Sequence, residues 1–157
     1  MGEEDPGAFC PESDLSGIGY KDFIPGVWYH RTITLTGEEL KGDLLLHFGA
    51  VDYDARVWIN GVEAGRHQGG YVSFTFDITK LVKEGENDIT LFAADDVRSG
   101  KQPKGKQSHF FYSRGCDYTR TTGIWQTVWL EWVPESYIEK CNIIQTWQRQ
   151  LWELRRW

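Results

Sequence analysis

The stretch Ala55-Arg56-Val57-Trp58-Ile59-Asn60-Gly61-Val62 decides how the rest of the chain is read. A run rich in β-branched and aromatic side chains enters Asn-Gly directly, and Val62 opens another short run. A type I′ turn needs φ > 0 at both central residues, so Asn-Gly between apolar runs is the strongest short hairpin signal. The same extended pattern recurs on both sides. Upstream, Val27 to Leu35 places Val27, Tyr29, Ile33 and Leu35 on one face, Thr36 to Glu39 turns, and Asp43 to Phe48 aligns Leu44, Leu46 and Phe48. Downstream, Gly69-Gly70 turns, and Tyr71 to Ile78 alternates with Val72, Phe74, Phe76 and Ile78 on one face. Thr79 to Val82 suits one helical turn, Glu84 to Asn87 another turn, and Asp88 to Ala94 a strand. Ile124 to Val133 is apolar on both faces, which predicts a strand buried on both sides. Pro134 breaks it, and Tyr137 to Ile144 reads as one more strand.

Many short strands separated by turn signals predict an all-β fold, a β-sandwich for which the jelly roll is the natural form. Residues 1–26 read as an extended entry segment, 27–144 as the sandwich, and 145–157 as a Trp/Arg-rich tail. In that tail Trp147, Leu151 and Leu154 share helical spacing, so a basic amphipathic helix and a disordered end are both open. Asp95 to Gly123 has no sustained period, and a loop of that length in a compact domain is functional or disordered.

Composition narrows the function. The 157 residues suit one domain, and 40% hydrophobic with 25% charged residues argues against disorder. No apolar run approaches the ~20 residues that span a bilayer, so no membrane is expected. A net charge of −6 argues against nucleic acid as partner. No basic segment followed by an apolar run opens the chain, which predicts a cytoplasmic protein. Cys10, Cys116 and Cys141 are odd in number and lack Cys-x-x-Cys spacing, which predicts free thiols. His30 and His47 fall inside strands, where a hydrogen-bonded structural imidazole is the default. No metal-ligand spacing, nucleophile elbow or phosphate-cradling glycine loop occurs, so no metal, cofactor or catalytic residue is assigned. A Ca²⁺ bound by loop oxygens is not readable from sequence.

Several ordered motifs nevertheless share a source. Val57-Trp58-Ile59-Asn60-Gly61, Gly65-Arg66-His67-Gln68-Gly69-Gly70-Tyr71, and Phe74 with Phe76-Asp77-Ile78-Thr79 resemble the sugar-binding N-terminal domain of glycoside hydrolase family 2, which includes β-galactosidases and β-glucuronidases. The resemblance continues through Val27-Trp28-Tyr29-His30-Arg31, Gly105-Lys106-Gln107 and Thr122-Gly123-Ile124-Trp125-Gln126-Thr127-Val128-Trp129-Leu130-Glu131, and covers roughly residues 10 to 140. It implies a jelly roll that in family members precedes an immunoglobulin-like domain and a catalytic (β/α)₈ barrel holding both catalytic glutamates. This chain has no room for that barrel, so the resemblance implies a non-catalytic fragment whose partners are the barrel and, weakly, the terminal sugar of a β-glycoside. It also implies that Asp117, six residues before Gly123, contacts a hydroxyl of that sugar.

Read from the residues alone, Asn60 and Gly61 make a hairpin turn, and His67, Gly69, Gly70 and Tyr71 shape a corner. Trp125 and Trp129 belong to a strand core before a sugar platform, and Gly123 is a motif position. Arg98, Lys101, Lys104, Lys106, Arg114 and Arg120 make the long loop basic, suited either to a uronic acid or to a solvated face. A free-standing carbohydrate-binding module with exposed aromatics on one sheet face, and a β-sandwich that binds a protein, stay open as alternatives. So does a homo-oligomer.

Overall fold

The computed structural model describes residues 9–139, 141–146 and 151–155. A single 3₁₀ turn, Asp14–Ser16, is capped by the Ser13 hydroxyl and closed by Gly17 at φ +74°. The strands follow as β1 (Gly26–Leu35), β2 (Asp43–Phe48), β3 (Val51–Asp52), β4 (Asp54–Ile59), β5 (Val62–Gln68), β6 (Phe74–Asp77), β7 (Gly85–Ala94), β8 (Gly123–Ile124), β9 (Val128–Val133), β10 (Asn142–Thr146) and β11 (Leu151–Arg155).

A four-stranded sheet, β1-β7-β4-β5, faces a three-stranded sheet, β6-β2-β9, and all these pairs are antiparallel. This is the jelly-roll β-sandwich. Alternation sorts the faces: Val57, Ile59, Leu91 and Ala93 from one sheet meet Leu44, Leu46 and Phe48 from the other, all buried. Each fully buried side chain of this kind contributes roughly 1.5–3 kcal/mol. Asn60 and Gly61 form the β4–β5 corner at φ +51° and +82°. The Asn60 side chain also donates to the Leu81 carbonyl and the Asn87 amide, and accepts from Asp88 N–H, so the corner is tied to the next crossover. His30 lies 3.2 Å from Asp88, and His47 meets Thr75 at 2.8 Å while stacking on Trp129. Between β1 and β9, the outermost described strands of their sheets on one side, an apolar cleft of about 590 Å³ opens toward Leu46, Phe48 and Leu91.

Several local expectations change. Ile124 to Val133 is not one strand: β8 pairs with β3, and after Trp125–Thr127 the chain crosses to pair with β2. Trp125 leaves the strand line because its indole N–H donates to the Gly70 carbonyl at 2.8 Å. Nor is β9 buried on both faces. Trp129 is 43% exposed and Trp132 similarly so, since β9 is an outermost strand among those described. Tyr71 to Ile78 shrinks to Phe74–Asp77, with Val72 turned outward. Thr79–Leu81 is a turn without a helix. The expected turn at Glu84 to Asn87 is already strand from Gly85, and Asn87 closes the preceding turn by binding Lys83 N–H and C=O. Tyr137–Glu139 lies outside the strand that begins at Asn142. The tail is not helical at Leu151–Arg155, which pairs antiparallel with Asn142–Thr146; Trp147 and residues 1–8 lie outside the described residues.

Gly123 has φ +73°, and a Cβ there would collide with the Tyr29 hydroxyl and meet Val27 at 2.8 Å. Replacing it by Ala is expected to destabilise the fold by about 2 kcal/mol or more, through strain and overpacking together. Urea unfolding of Gly123→Ala checks this; a loss below about 0.5 kcal/mol, the size of an ordinary surface change, would mean the close packing there is readily relieved.

Candidate functional site

The long segment between β7 and β8 is anchored at its middle by one side chain. Gln107 is buried, its amide nitrogen donates to Asp52 at 2.7 Å, and its amide oxygen accepts from Thr121 N–H at 2.8 Å. One residue thereby ties the outgoing and returning arms of the loop to β3. Around it lie three buried carboxyl groups, Glu12, Asp52 and Asp95. Thr122 bridges two of them, its N–H to Glu12 and its hydroxyl to Asp95, while Gln102 donates to Asp95 at 2.6 Å. Gly70 closes over Asp52: a Cβ there would stand 2.5 Å from the carboxylate oxygen.

Burial, and then the charges of Asp95 and Glu12, push the Asp52 carboxyl up to about 7, against the pull of the Gln107 bond. Burial raises Asp95 as well, and burial takes the Tyr29 phenol up to about 12. One oxygen each of Asp52 and Glu12 has no hydrogen-bond partner. No group of three or more His, Cys, Asp or Glu among the described residues is arranged to hold a metal ion.

Arg120 is the second anchor. It is buried, donates to the Phe110 and Lys21 carbonyls, and lies 4.0 Å above the Phe23 ring, with Arg98 3.9 Å from the same ring. The reading of Arg120 as part of a solvated basic face is therefore corrected, whereas Arg98 stays exposed. Both guanidinium groups lie against the Phe23 ring, and Arg120 fastens the loop to the entry segment.

Asp117 stands at the outer end of this framework. Arg114 and Asp117 exchange both backbone hydrogen bonds at 3.0 Å around Gly115 and Cys116, with Gly115 at φ +61°. The carboxylate is 34% exposed and lies 3.6 Å from Lys104 Nζ, which itself donates to the Gln107 carbonyl. Tyr71 reaches the same loop through its hydroxyl, 3.2 Å from the Lys104 carbonyl, and its ring meets Trp125 edge-on. His67 stacks on Phe74 at 4.1 Å, and Gly69 has φ +134°. Thus Gly70, Tyr71, Gly123 and Trp125 gather around the loop anchors, Asn60 and Gly61 form the β4–β5 corner, and Asp117 presents a carboxylate at the loop tip beside Lys104 and Arg114. Phe110, Phe111, Tyr112 and Tyr118 are all exposed in this segment.

Sequence reasoning gave no role to Glu12, Asp52 or Asp95, and read Thr122 only as part of a motif. Asp52 follows Ala50-Val51 in a two-residue strand, too short for alternation to signal its inward direction.

Two antiparallel sheets carrying a long loop anchored from below define a β-sandwich of the jelly-roll type. The chain belongs to glycoside hydrolase family 2, whose sugar-binding domain model matches residues 18–134. It is 30% identical over 146 residues to a β-glucuronidase of Felis catus, covering 78% of this chain and 22% of that protein. It is 33% identical over 115 residues to a β-galactosidase of Thermoanaerobacter pseudethanolicus, covering 71% and 14%. The structure of a β-glucuronidase from an uncultured Clostridium species shares the fold, with TM-score 0.69, 23% identity, and coverage of 99% of this chain and 29% of that one. The chain thus spans less than a quarter of the length of these two sequence relatives.

The buried carboxyls give stability a definite pH dependence. Asp52 keeps its proton to about pH 7 when folded, whereas an unfolded aspartate releases it near ~3.9. Between those values the folded state binds more protons, so stability falls as pH rises through about 4 to 7 and levels off above. Asp95 adds to the same slope. Asp52→Asn is expected to flatten the melting-temperature profile between pH 5 and 8 and to raise the melting temperature at pH 8. Parallel wild-type and variant profiles would assign the slope to other groups.

Proposed function

We propose that this chain is the sugar-binding part of a β-glycosidase, presenting Asp117 to the terminal sugar of a β-glycoside and not hydrolysing it alone. The observation that carries the reading is the placement of Asp117, a part-exposed carboxylate on a backbone-paired loop tip that Gln107 and Arg120 hold to the sandwich. An ionised carboxylate accepts two directional hydrogen bonds and suits vicinal hydroxyls. Lys104, 3.6 Å away, limits the orientations the carboxylate takes. The relatives named β-glucuronidase and β-galactosidase support a β-glycoside as substrate class of the parent protein. Further domains supply the acid, base and nucleophile, and the exposed aromatics Phe110, Phe111 and Tyr112 offer them an apolar docking face.

Free monosaccharide is expected to bind at millimolar strength or weaker. Two charge-assisted bonds of about 1.5–3 kcal/mol each barely exceed the roughly 4 kcal/mol that corresponds to a 1 mM dissociation constant, before the cost of association. Calorimetry that finds micromolar binding of a simple sugar would instead favour a free-standing lectin.

Asp117→Asn is expected to change the stability of this chain by no more than about 0.5 kcal/mol, as for an exposed surface position. The same change in a full-length relative should lower kcat/KM, because remote hydroxyl contacts strengthen toward the transition state. Urea titration and steady-state kinetics on nitrophenyl β-glucuronide and β-galactoside test the two halves, and unchanged kinetics would make Asp117 a bystander.

A further inference from the structure

Several polar contacts that fasten the β7–β8 loop converge on one place, the buried carboxyls of Glu12, Asp52 and Asp95. Gln107 is bonded to Asp52, Thr122 to Glu12 and Asp95, and Gln102 to Asp95. The sandwich beneath is held differently, by Val57, Ile59 and Leu91 packed against Leu44, Leu46 and Phe48. Loop and sheets therefore answer to different forces. Asp52 is the member on which the middle of the loop rests. It is 1% exposed, Gly70 packs directly against it, and its second oxygen has no donor among the described residues. The titratable groups that face it are Asp95 from the end of β7, Glu12 from the entry segment and the Tyr71 phenol. All three are acidic, so none supplies positive charge. Two cations of the loop are engaged elsewhere, Lys104 with the Gln107 carbonyl and Asp117, and Arg120 with the Lys21 and Phe110 carbonyls.

We infer that Asp52 and Gln107 form a proton-dependent latch: with Asp52 protonated the loop that carries Asp117 stays seated on β3, and with Asp52 ionised the loop opens locally while the two sheets stay folded. A charge at Asp52 is desolvated, stands next to other carboxyls and leaves one oxygen without a donor. The Gln107 bond strengthens when its acceptor is ionised, but burial outweighs that bond and carries the Asp52 carboxyl up to about 7. Lifting the Gln107 arm admits water to the carboxylate and returns it to an ordinary value near ~3.9. The seated loop thus binds the extra proton, and opening releases it. The opening constant therefore rises with pH between about 4 and 7 and levels off above. The opening is local because the Thr121, Ser108 and Tyr118 amides are bonded within the loop, whereas β4 and β7 are bonded to each other. The latch belongs to the loop whatever Asp117 does; that raising the pH withdraws a sugar contact rests on the reading of Asp117 given above.

The test is amide hydrogen exchange of the full chain between pH 5 and 8, followed by NMR and corrected for the intrinsic exchange rate at each pH. The Thr121, Ser108 and Tyr118 amides are expected to be less protected than those of β4 and β7 throughout, and to lose about tenfold or more of their protection across that range. Asp52→Asn should abolish the loss. Gln107→Leu should lower loop protection already at pH 5, with the β4 and β7 amides still the better protected. Loop amides as well protected as those of β4 and β7 overturn the inference, since the loop would then open only with the whole domain. So does loop protection that stays level with pH, an undiminished fall in Asp52→Asn, or unchanged loop protection in Gln107→Leu. The first two outcomes are read on the wild-type chain alone and stand even if a variant folds poorly. Sugar binding plays no part in these readouts, so failure of the latch and failure of the Asp117 reading are seen separately.

Discussion

The loop that carries the candidate site is tied to the sandwich at its middle by one buried amide. Gln107 offers a donor to Asp52 and an acceptor to Thr121, so it satisfies two arms of the chain from inside the protein. Neither contact is replaceable by water, because the residue is buried. A buried polar network of this kind is stable only when its members are paired, and here the pairing includes carboxyls pushed toward their neutral form by burial. The loop between β7 and β8 is therefore part of the folded body, although it contains no regular structure beyond isolated bridges.

The sandwich was legible because its signals are local. The period of two in β1, β2 and β4, and the Asn60-Gly61 corner, each concern residues within a few positions of one another. The loop anchors are not local. Gln107 meets Asp52 across 55 positions, and Arg120 reaches Lys21 across 99. No window of sequence contains both partners, so Arg120 read as one more basic loop residue. The tail failed for a related reason. Leu151 and Leu154 fit a helical stripe, and only the upstream partner Asn142–Thr146 decides for a strand. The β8–β9 break was hidden because the bond from Trp125 to Gly70 spans 55 positions. Asp117 itself entered through resemblance, since its own neighbourhood, Cys116-Asp117-Tyr118, looks like an ordinary turn.

Polar and aromatic groups thus sit at two levels. Asp52 and Asp95 are buried under the loop, where burial pushes them toward their neutral form, while Asp117 is placed part-exposed at its tip beside Lys104. The same side-chain type serves opposite ends because the environment sets its state. Aromatic rings are divided likewise: Phe48 and Phe74 stack within the sandwich, whereas Trp28 and the Phe110–Tyr112 stretch face outward.

The cleft between β1 and β9 bears on how the protein behaves in a crowded solution. Main-chain groups along the outer side of an outermost strand are a template for any extended chain. Here the template lies beside an apolar trough rather than a charged rim. Among the described strands, the sheet margin at β9 is therefore where an extended segment meets both unpaired main-chain groups and apolar side chains.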